Sequence, residues 1–519
     1  MSTFSPSGVS TKTFSYEDFQ GLDTSRDITS LDTGKEQHLA ELTNGFCDWR
    51  GQIVRDPSAT FRSGATKVTH VNHFKTGGVF YAEEDGAAVN FKSDDNHYLN
   101  EVHDKGSVIT STVFNTKVQI ASSGRAMYKY DGASFARNTS TSINTLLPAF
   151  VTSVQRRLVV AGTSGSSTEV HLSRVDFDDI FPDDENADDT NVLRAGKIDV
   201  GNLLGTADQV TALGAFEQNR LVIFTADRAL VYKIDPNINL WTIDDSTYIN
   251  IGCASHNTIA NAGTDLIFCS RGGIHSIKRS EENGILVYSY SLSDKIDILY
   301  RELFNSVPDP QKISAVFDQD TAHYHVFFPQ GGDHSCKRLT LALNPEGGKP
   351  QPKFSTGDFL QARCGSFLAG QLVFGTIGGV YNINDVETET GVHPDTTVVT
   401  PLLWHGSLSE TKDTYSVILQ AAGKGTITMD AQDLDGNQIG SLVFEVDDDT
   451  DDNHFSGVAL SKQYERKWSH RYKAAQYSWT SSVHRICSPD KRLETWQGSD
   501  NSTRRTMALA VTSTQSLKA

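Results

Sequence analysis

The chain alternates short apolar runs with polar, glycine-bearing steps. Residues 266–278 read LIFCSRGGIHSIK, and residues 372–384 read LVFGTIGGVYNIN. Each is an apolar run, a short polar step, a glycine pair and a strand-like tail. Looser versions stand at 222–234 (VIFTADRALVYKI) and 119–131 (QIASSGRAMYKYD). Apolar runs of this length bounded by Gly, Asn, Asp and Ser predict short strands joined by tight turns. The glycines permit the positive φ that a tight hairpin needs.

Strands can be placed near Val71, Gln119, Leu158, Val222, Leu266, Val326 and Leu372, at intervals of 39 to 64 residues. Hairpins recurring at such a period predict the blades of a β-propeller. One small twisted sheet cannot bury both of its faces, whereas sheets stacked around an axis cover each other and leave only short edges. The expected fold is therefore all-β, with a propeller over 41–395. Six blades are expected, with seven as the alternative count. A large sandwich shows similar short strands and is the competing architecture.

The flanks differ in texture. Residues 1–40 are rich in Ser, Thr and Asp and predict an extended arm suited to strapping a neighbour. From 396 to 519 the strands lengthen and alternate, as in TYSVILQAAGKGTITMDAQ, and DLDGN at 433–437 is a strong hairpin turn. This predicts an antiparallel sandwich or barrel, which N-terminal strands can join. Helical spacing is scarce. It is found at 34–44 (GKEQHLAELTN) and at 294–305 (DKIDILYRELFN), where Ile296, Leu299, Leu303 and Phe304 share a face and Asp294 is a candidate cap.

The formal net charge is −18 over 519 residues. That argues against a nucleic-acid grip, which needs clustered Lys and Arg, but suits a wall past which DNA slides without sticking. The six cysteines, Cys47, Cys253, Cys269, Cys336, Cys364 and Cys487, show no zinc or disulfide-framework spacing. Cys269 and Cys364 lie in apolar runs and are expected as buried thiols. No secretion signal and no membrane-spanning apolar stretch are expected.

Several segments, taken in order, resemble one family. AELTNGFCDWRGQIVRDPS (40–58) supplies an Asn-bearing strand and an Arg/Pro segment. QRRLVVAGTSGSSTEVHLSRVDFDDIF (155–181) supplies a strand, a Gly-Thr loop, Ser-Arg and an acidic-aromatic stretch. GKIDVG (196–201), QVTALGAFEQNRLVIFTADRALVYKI (209–234) and AGTDLIFCSRGGIHSIKR (262–279) follow. Together they are similar to the tail nozzle proteins of short-tailed bacteriophages, also called tail tubular protein B or packaged-DNA stabilisation protein. The likeness runs over about residues 40 to 385. One departure is Arg55-Asp56-Pro57, where the family pattern has Arg-Pro-Gly. The resemblance implies a structural virion protein assembled in the host cytoplasm. It implies a homo-hexameric ring below the portal and tail adaptor, continuing the channel through which genomic DNA leaves and retaining the packaged genome. The ring would dock tail fibres or a tip.

Enzyme and metal chemistry were weighed against this. The acidic stretch DFDDIFPDDENADDT (176–190) lacks the ligand spacing of a calcium loop and is expected to be a solvated or channel-facing loop. The cluster of Asp447, Asp448, Asp449, Asp451 and Asp452 is read the same way. His323 and His325 share a strand face with Cys336 nearby, but a metal site needs three or four converging ligands. Ser270-Arg271-Gly272-Gly273 is not a phosphate loop, because no Gly-Lys-Ser/Thr follows. SPDKRLETW (488–496) lacks the Gly of an Asp-box. No catalytic, cofactor-binding or metal residue is assigned. The competing functions are a propeller glycoside hydrolase or depolymerase acting on host polysaccharide, and a receptor-binding propeller.

Overall fold

The computed structural model describes residues 10–515 apart from 17–18, 27–36, 49–50, 76–77, 87, 95–98, 186–189, 202–208, 245–248, 264, 280–285, 289–290, 332–334, 344–351, 385–390, 403–411, 423, 434, 448–461, 473–475, 482–484 and 487–508. The chain divides into two compact units. One comprises 59–339 and 360–391; the other is built from 1–58, 340–359 and 392–519.

The first unit is a β-propeller. Blade one is Val68–Lys75, Gly78–Asp85, Ala88–Ser93 and Leu99–Asp104. Blade two is Ile109–Phe114, Lys117–Ser122, Tyr128–Tyr130 and Phe135–Arg137. Blade three is Phe150–Val154, Arg157–Ala161, Glu169–Leu172 and Gly196–Asp199. Blade four is Val210–Phe216, Arg220–Thr225, Ala229–Lys233 and Thr242–Ile243. Blade five is Ala260–Ala262, Asp265–Ser270, Gly273–Arg279 and Leu286–Tyr288. Then comes a sheet of Ser314–Asp318, His323–Pro329 and Cys336–Ala342, whose last strand leaves this unit after Leu339. The last blade is Cys364–Leu368, Gln371–Gly375 and Gly379–Asn384, with Ser58–Gly64 from the other end of the unit as its outermost strand. Six complete four-stranded blades thus stand in the ring with one three-stranded sheet between the fifth and the last. Six of the seven strand landmarks read from the sequence fall on the second strand of a sheet, and Val71 falls on a first strand.

The hydrophobic cores lie between blades, which explains the unbroken apolar runs. In blade four, Leu221 and Ile223 pack with Val159, Ala161, Val170 and Leu172 of blade three. Their neighbours Val222 and Phe224 point the other way, onto Leu266, Phe268 and Ile277 of blade five. In blade one, Phe80 and Ala82 meet Val118 and Ile120 of blade two, while Val79 and Tyr81 meet Val373 and Val380 of the last blade. Side chains of period two, buried on both faces, give a run apolar at every position.

The ring is closed by the outermost strand of the last blade. Arg62 Nε and Nη2 donate to the two carboxylate oxygens of Asp94 in blade one at 2.8 and 2.6 Å, and Nη1 donates to Asn382 Oδ1 at 3.0 Å. A bidentate Arg–carboxylate pair is among the stronger directional links available, so it fixes the register of the closing strand.

The recurring hairpin joins the second and third strands of a blade, and its glycines are only half of the device. Ser270 Oγ accepts from Gly272 N and donates to Gly273 O, at 3.0 and 3.2 Å. Thr376 does the same with Gly378 N and Gly379 O, at 3.1 and 2.9 Å. Thr225 clasps the amide and carbonyl of Arg228, and Thr163 those of Ser166. Gly273 and Gly379 have φ of +147° and +146°. A hydroxyl at the end of the second strand thus closes each turn, in the Thr225 and Thr376 turns beside a backbone bond to the same carbonyl.

Among its described residues the second unit holds a parallel pair, Phe19–Leu22 with Gln37–Leu39, and two larger sheets. One runs in the order Lys353–Gly357, Glu41–Thr43, Thr396–Val399, Gln476–Ser481, Lys424–Gln432, Gln438–Asp447. The other runs Ser10–Tyr16, Leu509–Gln515, Lys412–Ala422, Arg485–Ile486, Ile53–Arg55, Gly45–Cys47, with Lys462–Tyr472 also on Lys412–Ala422. The segment expected as a loose arm is built in: Ser10–Tyr16 pairs with Leu509–Gln515, and Phe19, Leu22 and Leu39 are buried. Phe19 sits edge-on to Trp479 at 6.4 Å. The helix expected over 34–44 is instead the strands Gln37–Leu39 and Glu41–Thr43, because Leu39 and Leu42 are needed in a sheet-borne core. Asn44 turns the chain between strands at φ +56°. Its amide donates to Asp358 Oδ1 at 3.0 Å and accepts from the Asp358 and Phe359 amides at 2.9 and 3.1 Å. The Asp56 amide donates to Asn44 O at 3.1 Å.

The helix expected over 294–305 is present as Asp297–Asn305 after a 3-10 turn at Asp294–Ile296. Asp294 does not cap it. The buried face carries Tyr300, Leu303 and Phe304, with the Tyr300 hydroxyl donating to Ser270 O at 2.6 Å. The hairpin at DLDGN joins Lys424–Gln432 to Gln438–Asp447, and Asp433 accepts from the Asp435 and Asn437 amides.

Candidate functional site: the capped propeller axis

The first strands of successive blades neighbour one another and form the inner ring of the propeller. The segment joining blade four to blade five does not stay at the rim. Its 3-10 turn His256–Thr258 touches first strands of several blades, which share only the axis. Asn257 Nδ2 donates to Ile109 O of blade two at 2.9 Å. The His256 ring stacks on Phe150 of blade three at 5.5 Å, and its Nδ1 accepts from the Leu213 amide of blade four at 3.1 Å. Ser255 Oγ bonds to the carbonyls of Gln311 and Ile313, at 2.9 and 2.6 Å, where the chain enters the three-stranded sheet. Thr211 Oγ1 donates to Cys253 O at 2.8 Å. The turn therefore caps the axis.

Gly252 makes this path possible. A Cβ there would lie 2.1 Å from Thr225 O and 2.2 Å from the Ala226 carbonyl carbon. Only a residue without a side chain passes so close to another backbone.

Beside the cap, Ser111 Oγ of blade two meets His70 Nε2 at 2.7 Å and accepts from Asn72 Nδ2 at 2.8 Å. Burial holds the His256 imidazole down to about 4, and burial with a smaller contribution from His256 holds His70 down to about 4. His70, Asn72, Ser111, His256 and Asn257 thus present a polar, uncharged cluster at neutral pH. It offers neither the paired carboxylates of glycoside chemistry nor a cationic grip for phosphate.

The residues weighed from the sequence lie elsewhere. Over its described part the acidic stretch at 176–190 keeps Asp176, Phe177, Asp183 and Asp184 exposed, as a solvated loop should, and it also staples blade three to blade two. Asp178 takes Gln119 Nε2 at 2.9 Å and Lys129 Nζ at 3.5 Å. Asp184 takes Ser140 Oγ at 2.6 Å and the Ser142 amide at 3.0 Å. Glu185 takes the Ala195 amide at 2.8 Å, and Asp176 pairs with Arg156. Beneath it, the Arg157 guanidinium is fully buried and donates to the carbonyls of Ser173, Arg194 and Pro236, each at 2.7 Å. It thereby pins the Ser173-Arg174 segment.

His323 and His325 stand 5.8 Å apart, edge to face, inside the three-stranded sheet. Burial lowers both, His323 to about 4, and pushes the Cys336 thiol up to about 12. Among the described residues, no group of three His, Cys, Asp or Glu is placed to hold a metal. Cys253, Cys269, Cys336 and Cys364 are buried, as expected for the second and last of these. Asp448, Asp449, Asp451, Asp452, Cys487 and the stretch 488–496 lie outside the described residues, as does the Asp447 side chain. Among the described residues, no helix is long and apolar enough to cross a membrane.

The sequence reading missed the cap. Its partners are 40 to 150 residues away, and GCASHNT carries no periodicity to mark it. The hydroxyl clasps were legible: Ser270, Thr376 and Thr225 occupy one column of the aligned hairpins.

No protein-family model matches the chain, and no curated protein matches it. Solved structures similar to it are propellers at low identity. A streptogramin B lyase structure is 9% identical, covering 62% of this chain and 94% of its own, with a TM-score of 0.34. The β-propeller domain of Cps50 (Swd1) from Myceliophteria thermophila is 12% identical, covering 64% and 100%, at 0.36. YCF48 from Cyanidioschyzon merolae is 10% identical, covering 63% and 100%, at 0.33. The propeller assignment stands on the strand pairing described above.

Proposed function

We propose that this chain is the nozzle subunit of a short phage tail: a non-enzymatic wall protein, six copies of which ring the DNA-exit channel below portal and adaptor. The observation that carries this reading is the ordered set of family-like segments over 40–385, together with where its residues sit. Asn44 holds the strand junction of the second unit, Arg157, Ser173 and Arg174 form the braced loop of blade three, and Gly273 closes the middle hairpin of blade five. They are residues on which the architecture depends, so a shared pattern there supports shared architecture.

The capped axis supports a channel made between copies rather than through a blade ring. The net charge of −18 suits a wall facing a polymer with one phosphate per ~1.7 Å of duplex axis, because strong attraction would stall its passage. A ring requires heterologous interfaces that close by rotation. Retention and release of the genome then require adaptor, fibre or tip contacts that favour one state of the ring.

Electron microscopy of the purified full chain, alone and with the adaptor protein encoded beside it, tests the proposal. Closed rings with a central opening wide enough for duplex DNA are expected. Monomers under every condition, joined to cleavage of host surface polysaccharide, would overturn it in favour of the depolymerase reading.

A further inference from the structure

We propose that the turn at 253–258 is an acid-released latch across the propeller axis, held shut by a His256 ring that must be neutral to fit. The argument rests on one geometric fact. The partner of His256 Nδ1 is the backbone amide of Leu213, at 3.1 Å. A backbone amide can only donate, so Nδ1 must keep its lone pair. The other ring nitrogen faces the backbone of Val151, an acceptor that favours a proton there. The ring is thereby fixed as the Nε2–H tautomer. A second proton must go to Nδ1, where it points at the Leu213 N–H and removes one of the bonds that tie the turn to blade four, the others being at Cys253.

Among the described residues, only the Val151 backbone favours the resulting cation, and no acid is among the groups that act on it. The first strands of blades two, three and four, at Ile109–Phe114, Phe150–Val154 and Val210–Phe216, carry no ionisable side chain. Val68–Lys75 presents His70, His73 and Lys75, and His70 is the one coupled to His256. Asp265 lies in Asp265–Ser270, and Asp318 ends Ser314–Asp318, where it is held by the Asp320 amide and the Thr321 hydroxyl. The turn at Pro310–Lys312 adds Lys312, with Asp309 as its cap. His70 is coupled to His256, whereas Lys312 is not among the groups that act on it. Asp318 is already occupied, and neither Asp309 nor Asp265 is among the groups that act on His256.

The latch has few other ties on its blade-two and blade-three sides. Asn257 makes its bond to Ile109 O, and Phe150 supplies the stacking face. The Ser255 and Cys253 bonds lie toward blades four, five and the three-stranded sheet and act as the hinge side. Release would uncover the His70, Asn72 and Ser111 cluster to solvent along the axis.

The test uses the full chain with selectively labelled histidine and leucine. The His256 imidazole is titrated by NMR while exchange of the Leu213 amide, corrected for its intrinsic pH dependence, is followed over the same range. Exchange at Leu213 is expected to accelerate about tenfold per pH unit through the range in which His256 takes its proton, as one-proton linkage requires. In His256→Gln, whose side-chain oxygen can accept from Leu213 without titrating, the Leu213 amide should accelerate no more than the buried Val222 amide of the same blade, which reports opening of the whole propeller. His70→Gln should keep the wild-type acceleration, moved to higher pH by loss of the neighbouring imidazole. A Leu213 amide that stays protected while His256 is charged would overturn the proposal, and so would a His256→Gln protein that opens at the wild-type pH. Should His256→Gln fail to fold, the wild-type titration decides alone. The outcome is independent of ring formation.

Discussion

The propeller and the second unit are both all-β, yet they store their information differently. In the propeller every four-stranded blade but the last is one continuous stretch of chain, and the central strands are buried on both sides. Runs such as Arg157–Ala161 and Arg220–Thr225 are therefore buried at every position. In the second unit, sheet neighbours come from opposite ends of the chain: Ser10–Tyr16 lies on Leu509–Gln515, and Glu41–Thr43 on Thr396–Val399. A repeated local unit writes its fold into local sequence. A unit assembled from three segments does so only through pairings that no window of sequence contains.

Acid should distinguish the two most strongly. His73, His275 and His323 are buried in the propeller and held down to about 4 by burial, and His325 is lowered well below its ordinary value. The unfolded chain binds these protons near pH 6.5, so it carries more of them between pH 6.5 and 4. Propeller stability is full above 6.5 and falls as pH drops toward 4, by on the order of 3 kcal/mol for each of the first three. Against typical stabilities of about 5–15 kcal/mol, denaturant melts should show the propeller's exchange protection collapsing across this window. A flat profile from pH 7 to 4 would refute the burial of these rings.

Next in size is core truncation between blades. Phe268 is fully buried against Phe224 at 4.8 Å, and Phe268→Ala should cost about 3–5 kcal/mol in chemical denaturation. The exposed Phe61→Ala should stay within about 0.5 kcal/mol.

The matched hairpin glycines sharpen the picture inside the propeller. Both have a φ that L side chains rarely adopt, but a Cβ at Gly379 meets the Ser63 carbonyl oxygen at 2.3 Å, whereas at Gly273 it meets the movable hydroxyls of Ser293 and Ser291. Gly379→Ala should cost about 2–3 kcal/mol and Gly273→Ala about 1–2, by thermal melts. Equal costs would show that the backbone clash at the closing strand is relieved. In the second unit, Asn44→Gly keeps the turn and loses the side-chain bonds. It should cost about 1–2 kcal/mol, read as faster exchange at Asp358 and Phe359.

Taken alone, the sequence determined the fold class, the hairpin period, the polar turn at Asp433 and the burial of Cys269 and Cys364. All of these follow from local alternation and turn chemistry, which act within ten or so residues. It also carried the family-like segments, because their order lies along the chain. Tertiary structure alone decided that Ser10–Tyr16 lies on Leu509–Gln515, that Phe19–Leu22 pairs in parallel with Gln37–Leu39, and that 37–43 forms strands against its helical spacing. It likewise made the acidic stretch a staple between blades and laid His256 across the axis. In each of these the partner is supplied by distant chain, and a residue's burial or charge state is fixed by what is brought against it rather than by its neighbours in sequence.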